Sequence, residues 1–193
     1  DPVFLGKYPD EAEGAFAPYM PKIGANDFDI IGQELDFLGY NIYNGTMVRA
    51  GEDGGVEFIS NYAGFPKTQA NWTVNPETLY YGPKFLYERY KKPIYITENG
   101  IACHDVVSLD GKVHDPNRID FTARYLRELK RASADGIDVR GYFYWSNLDN
   151  FEWECGYERR FGMVYVDFRT QERIIKDSGY WYKEVIEQNG ENL

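Results

Sequence analysis

Cysteine is scarce. Cys103 and Cys155 are the only two in 193 residues, too few for a disulfide framework and matching no zinc-ligand spacing. Basic charge is in deficit, with 21 Lys and Arg against 31 Asp and Glu and a formal net charge of −10. Such a chain lacks the basic face that displaces counterions from nucleic-acid phosphates, so no nucleic-acid partner is expected. Long apolar runs are missing as well. Even with Tyr and Trp counted, the longest are Tyr142-Phe143-Tyr144-Trp145 and Met163-Val164-Tyr165-Val166. A membrane-spanning helix needs about 20 apolar residues, so no membrane partner is expected. There are no repeats, low-complexity tracts or linker-like shifts in composition. The opening Asp1-Pro2-Val3 has neither Met nor a signal-like stretch; it reads as a chain begun partway through a larger protein and reports no compartment, leaving the cytoplasm as the default. The 43% of hydrophobic and 17% of aromatic residues supply enough side chains for a packed core, which excludes wholesale disorder.

What is present is a strand followed by a helix, three times over. Residues 35–43, Leu35 to Tyr43, form the first strand pattern, closed by Asn44-Gly45, and Gly51-Glu52-Asp53-Gly54-Gly55 predicts a hairpin turn. Asn75-Pro76-Glu77 predicts a helix start, with a capping Asn, Pro in the first turn and an acid behind it. Gly82-Pro83 predicts a break before Phe85 to Tyr90 continue that helix. The second strand covers residues 93–98 and ends on Glu98; Asp115-Pro116 then caps a helix with Ile119, Thr122, Ala123, Leu126 and Leu129 at helical spacing, ended by Gly136. The third strand covers residues 139–145, followed by a long loop and a short strand near 163–168. A last helix starts near Asp177-Ser178, puts Trp181, Tyr182, Val185 and Ile186 on one face, and closes at Asn189-Gly190 like a natural C-terminus. This alternation implies parallel strands covered by helices. Three units in 193 residues are too few for a closed eight-stranded barrel, which takes about 250. Open parallel edges expose unpaired backbone groups, so the chain is expected to need further strands.

The polar and aromatic residues cluster just after each strand: Asn41 and Tyr43, then Glu98 and Asn99, then Trp145, Asn147, Asp149, Glu152 and Trp153. In parallel α/β architectures that edge is where sites are built. A carboxylate ending the strand Ile94-Tyr95-Ile96-Thr97-Glu98 is costly unless something uses its charge. Tryptophans beside carboxylates suit sugars, whose C–H faces stack on indole while the hydroxyl rim binds carboxylates. The residues alone therefore indicate a carbohydrate site, with hydrolysis and simple binding both open.

Ile96-Thr97-Glu98-Asn99-Gly100, some 45 residues before Trp145-Ser146-Asn147-Leu148-Asp149-Asn150-Phe151-Glu152-Trp153, followed by Gly156-Tyr157, Arg160-Phe161-Gly162 and Tyr165-Val166-Asp167, strongly resembles glycoside hydrolase family 1, the β-glucosidase family. Residues 36–43, Asp36-Phe37-Leu38-Gly39-Tyr40-Asn41-Ile42-Tyr43, resemble its sixth-strand motif. The resemblance spans about residues 30–190 in the right order. It implies an α/β fold, strands six, seven and eight with their helices of a single catalytic (β/α)8 TIM barrel, incomplete on its own. It also implies a retaining β-glycosidase, whose two carboxylates stand about 5–5.5 Å apart, one attacking the anomeric carbon and the other serving as acid and then base. No cofactor is implied.

On that resemblance Glu98 matches the nucleophile and Tyr43 the tyrosine that hydrogen-bonds it and keeps it ionised. Asn41 matches a neighbouring site asparagine. Trp145 matches the indole platform beneath the sugar, and Glu152 and Trp153 the pair holding its far hydroxyls. Glu152 would repel a phosphate, which points to unphosphorylated sugars. Trp72 matches a wall of the leaving-group subsite, and Phe161 an aromatic lining, with core packing the competing role for Phe161. Three positions depart from the family's usual pattern: Ile42 for an aromatic, which should point away from the pocket, Asn71 for a Gly, and Asn147 for an apolar residue.

Cys103, His104 and Cys155 follow strands but read as loop residues rather than metal ligands. Asn44-Gly45-Thr46 and Asn71-Trp72-Thr73 fit the glycosylation pattern, which arises readily by chance, and Arg124, Arg127, Lys130 and Arg131 read as a solvated helix face. The family's acid/base glutamate lies in an Asn-Glu-Pro motif near strand four, and no Asn-Glu-Pro occurs here. The expected partners are therefore a β-glycoside and an N-terminal part of the barrel, as a second chain or a preceding segment. The competing class is a non-catalytic sugar-binding module or self-pairing half-barrel, in which Glu98→Gln would change nothing.

Overall fold

The computed structural model describes residues 1–193, the side chains of residues 11, 13 and 15 excepted. Three short helices come first: α1 (Pro2–Leu5), α2 (Asp10–Ala15) and α3 (Asp27–Ile31). The working part of the fold is a three-stranded parallel sheet. Its strands are β1 (Leu38–Asn41), β4 (Ile94–Asn99) and β5 (Val139–Tyr144), with β4 in the middle. Between β1 and β4 lie the hairpin β2 (Val48–Ala50) and β3 (Val56–Phe58), turned at residues 51–55 as the glycines foretell, and the helix α4 (Thr78–Tyr90). Helix α5 (Pro116–Ala134) joins β4 to β5. After β5 come a second hairpin, β6 (Val164–Val166) with β7 (Arg173–Ile175), and the helix α6 (Asp177–Glu187). The parallel pairings set Leu38 against Ile94, Tyr40 against Ile96, and Ile96 against Tyr142.

One face of the sheet carries the core. Ile94 and Ile96 are fully buried beneath Leu79, Phe121, Tyr125, Leu126, Leu129 and Val185 from the three long helices. Burying each isoleucine contributes about 1.5–3 kcal/mol. The other face carries Phe37, 50% exposed, and Phe143, 58% exposed, with Tyr95 between them and its ring 4.9 Å from that of Phe37. β1 and β5 are both open edges, so the sheet is three staves of a barrel and no closed cylinder.

Four local expectations need correction. The first strand is shorter than residues 35–43, because laddering begins where Leu38 N–H donates to the Pro93 carbonyl at 2.9 Å. Helix α4 is not broken at Pro83. The missing N–H leaves the Leu79 carbonyl short of one donor, but Pro83 is fully buried beside the core, and Gly82 lets the helix approach where a Cβ would meet Ile42 Cδ1 at 2.5 Å. The same contact shows Ile42 pointing into the helix layer, away from the site. Asn75 does not cap α4 with its side chain, whose Oδ1 finds no partner among the described residues; its N–H is taken by the Tyr125 hydroxyl at 2.9 Å. Ile186 is 63% exposed rather than on the buried face of α6, where Val185 points inward.

Candidate active site

The C-terminal ends of the three parallel strands bring the marked residues to one edge. Glu98 stands near the end of β4, and Tyr43, two residues past β1, donates its hydroxyl to Glu98 Oε2 at 2.6 Å. Burial, followed by the bond to Glu98 and the charges of Glu98 and Glu152, holds the Tyr43 pKa far above its ordinary value, so the phenol remains a donor. Beside it, Thr97 Oγ1 donates to Asn41 Oδ1 at 2.8 Å, fixing the way the Asn41 amide faces.

Asn99 fastens this arrangement from below. Fully buried, it donates from Nδ2 to the Ile42 carbonyl at 2.8 Å and accepts from the Tyr142 hydroxyl at 2.9 Å, so one side chain ties β1, β4 and β5 together. Gly100 follows because nothing larger fits: a Cβ there would stand 1.9 Å from the Trp145 carbonyl oxygen. That close approach lets Trp145 N–H donate to the Asn99 carbonyl at 2.8 Å, seating the indole just past β5.

Trp145 Nε1 donates to Glu152 Oε1 at 2.8 Å. Burial raises the Glu152 pKa; the indole N–H opposes that, and the charge of Glu98 adds to it. Trp153 sits on a one-turn 3-10 helix, Trp153–Cys155, and is 79% exposed, its ring covered by no neighbouring wall. Phe161 is only 3% exposed and packs against Tyr43, centroids 6.3 Å apart, and Trp72, 5.9 Å apart; Tyr43 and Trp72 are themselves 5.1 Å apart. Phe161 therefore backs the site, whereas Trp72, 37% exposed, keeps an open face. Asn71 has a left-handed φ of 62°, a backbone geometry that favours Gly and that Asn tolerates best among other residues.

The sequence reading overlooked the charges beneath this edge. Arg118, Lys176, Asp105, Asp115 and Asp149 are all buried, and Arg160 nearly so. Asp115, expected to cap α5, instead accepts from Ser178 N–H at 2.8 Å, from Ser178 Oγ at 2.6 Å and from Arg118. Arg118 shares the helical stripe of Phe121, Thr122 and Tyr125, and that register was the one signal that could have marked it as buried. Burial pushes the Cys103 thiol up to about 11, leaving it unreactive at neutral pH. Among the described residues, no group of three or more His, Cys, Asp or Glu side chains is placed to hold a metal ion.

Comparison with known proteins matches nearly the whole chain to one family. The model of the family Glycosyl hydrolase family 1 matches residues 1–191. A 1,4-beta-D-glucan glucohydrolase of Thermotoga neapolitana is 47% identical over 191 residues, covering 98% of this chain and 43% of its own length. Beta-glucosidase A of Thermotoga maritima is 44% identical over 191 residues, with the same two coverages of 98% and 43%. Among solved structures, the beta-glucosidase from Thermotoga maritima in complex with glucoimidazole superposes with a TM-score of 0.88 at 45% identity, over 98% of this chain and 43% of that one. The chain spans less than half the length of these relatives, and its three strand–helix units are strands six to eight of their (β/α)8 barrel. The chain belongs to glycosyl hydrolase family 1.

Proposed function

We propose that this chain, residues 1–193 of a single catalytic barrel domain, carries the nucleophile side of a retaining β-glycosidase. Its substrates are unphosphorylated β-glucosides or related glycosides, and the acid/base glutamate comes from an N-terminal part of the barrel. The observation that carries the proposal is the pair of held carboxylates, Glu98 on Tyr43 at 2.6 Å and Glu152 on Trp145 at 2.8 Å, on one strand edge.

Each group has a role that its partners suit. Tyr43 occupies Glu98 Oε2, and among the described residues nothing bonds Oε1, which is therefore the oxygen free to attack the anomeric carbon. As the Oε1–C1 bond forms, the C1–O bond to the leaving group breaks, and the acid of the N-terminal part protonates the departing oxygen. Water, deprotonated by the same group, then attacks C1 and releases Glu98. Two inversions at one carbon give net retention. The Trp145 indole, steered by its bond to Glu152, offers a flat face to the sugar, while the Glu152 carboxylate accepts from hydroxyls and repels a phosphate. Trp153 and Asn41 add contacts to the glycone, Trp72 and its backing Phe161 form a wall toward the leaving group, and no cofactor takes part.

Stereochemistry tests this directly. Proton spectra recorded during the first minutes of hydrolysis by the assembled protein show the β-anomer of the free sugar first, with the α-anomer appearing only as the sugar mutarotates. An initial α-product would mean inversion, and the assignment of Glu98 as nucleophile would fall.

A further inference from the structure

The group that attacks stands near the end of β4 and the groups that hold the sugar stand past β5, and one buried ammonium joins the loops that follow these two strands. Lys176, fully buried between β7 and α6, donates to Asp105 Oδ2 at 2.6 Å and to Asp149 Oδ1 at 2.8 Å. Asp105 lies on the loop that leaves β4 just after Glu98, and Asp149 lies between Trp145 and Glu152. Asp149 also accepts from Arg160 Nη1 at 2.5 Å and from the N–H of Gly162 at 2.9 Å, next to Phe161. Arg118 grips both oxygens of Asp105, its Nη1 donating to Oδ1 at 3.2 Å and its Nη2 to Oδ2, the oxygen Lys176 also uses, at 2.6 Å; Nη2 also reaches the Arg160 carbonyl at 2.9 Å. The Lys176 N–H itself donates to the Met163 carbonyl at 3.0 Å, so backbone and side chain of this residue both brace the 145–163 loop.

Stability is a poor reason for this cluster. Arg118, Arg160 and Lys176 balance Asp105, Asp115 and Asp149, but taking such charges out of water costs about as much as their attraction returns, and apolar side chains of the same volume would hold the fold as well. Apolar packing would not supply direction. Two short bonds from one nitrogen fix the separation of two carboxylates, and with it the separation of the loops that bear them.

We infer that Lys176 is a positioning residue: through Asp105 and Asp149 it sets the Trp145–Glu152 pair at its working distance from Glu98. The inference rests on the glycosidase function proposed above. It is tested by a double-mutant cycle in the protein assembled with its N-terminal part, using an aryl β-glucoside and expressing every rate per site titrated with a 2-deoxy-2-fluoroglucoside, so that unfolded molecules do not count. A misplacement of about 1 Å costs roughly 100-fold, so Lys176→Met lowers kcat/KM per titrated site by roughly 30- to 100-fold. In a Glu152→Gln background the same change costs less than about threefold, because the group that Lys176 aligns is already impaired. A merely structural brace would lower the number of titratable sites while leaving kcat/KM per site unchanged, or its cost would multiply in full with that of Glu152→Gln; either result overturns the inference. Should Lys176→Met give no titratable sites, Asp105→Asn, which keeps the side chain's shape, is carried through the same cycle with the same two outcomes. Wild-type turnover and labelling alongside an undiminished variant would sink the role of Lys176 alone, whereas a wild type that neither turns over nor takes the label would sink the proposed function and this inference with it.

Discussion

Glu98→Gln in the assembled protein lowers turnover of an activated aryl β-glucoside by about 10⁴-fold or more, while affinity for a neutral sugar-shaped inhibitor changes only a few-fold. An amide is no nucleophile toward an anomeric carbon, so the covalent route closes. The binding surface is left in place, because Trp145 and Glu152 are held by each other and by the loop beyond β5, not by Glu98. Even the Tyr43 contact persists in weaker form, since the Gln carbonyl still accepts the phenol. Steady-state rates and calorimetric titration of the same preparation separate the two effects. The alternative of a sugar-binding or self-pairing module expects neither number to move, so a loss of turnover below about tenfold would favour it.

The second large effect comes from assembly. This chain alone gives no turnover above background, and mixing or co-expression with a polypeptide that carries Asn-Glu-Pro restores it. Two physical arguments stand behind this expectation. Retaining hydrolysis needs a second carboxylate to protonate the leaving oxygen, a contribution of about 10²- to 10⁴-fold by itself. The other carboxylate at the edge, Glu152, is tied to the indole of Trp145, and in the proposed mechanism it is given to the sugar's far hydroxyls rather than to the leaving oxygen. The sheet also has open edges at β1 and β5, and Phe37 and Phe143 are half exposed on the face that further strands would cover. Rates for each part alone and for the pair, with mass spectrometry of the complex, decide the matter. Turnover by the isolated chain at the rate of the pair would contradict the requirement.

Much of the edge was legible because strand patterning and site chemistry meet there. Ile94 and Ile96 alternate into the core and deliver Glu98 to the end of β4, which a strand of that composition leads one to expect. The glycines at 51–55 and Gly136, with a left-handed φ of 89°, punctuate the chain where local backbone chemistry says they should. What escaped depends on packing between distant segments. Pro83 breaks helices in general, yet here a buried seat keeps α4 whole. Asp115 carries the marks of a cap, and only Ser178 and Arg118, brought in by the fold, claim its carboxylate. Lys176 looks like any surface lysine until two aspartates from two other loops surround it. Charge in a sequence is read as solvent-facing by default, so a buried network of balanced ions is the feature that such a reading is least able to see.

In the proposed mechanism Glu98 forms a covalent bond to the sugar. Incubating the assembled protein with a 2-deoxy-2-fluoroglucoside bearing a good leaving group, then digesting it and sequencing the labelled peptide by mass spectrometry, locates that bond. One fluoroglucosyl unit is expected on the peptide containing Ile96-Thr97-Glu98-Asn99-Gly100, located on Glu98. A label on any other residue, or turnover of the reagent with no label retained, would contradict it.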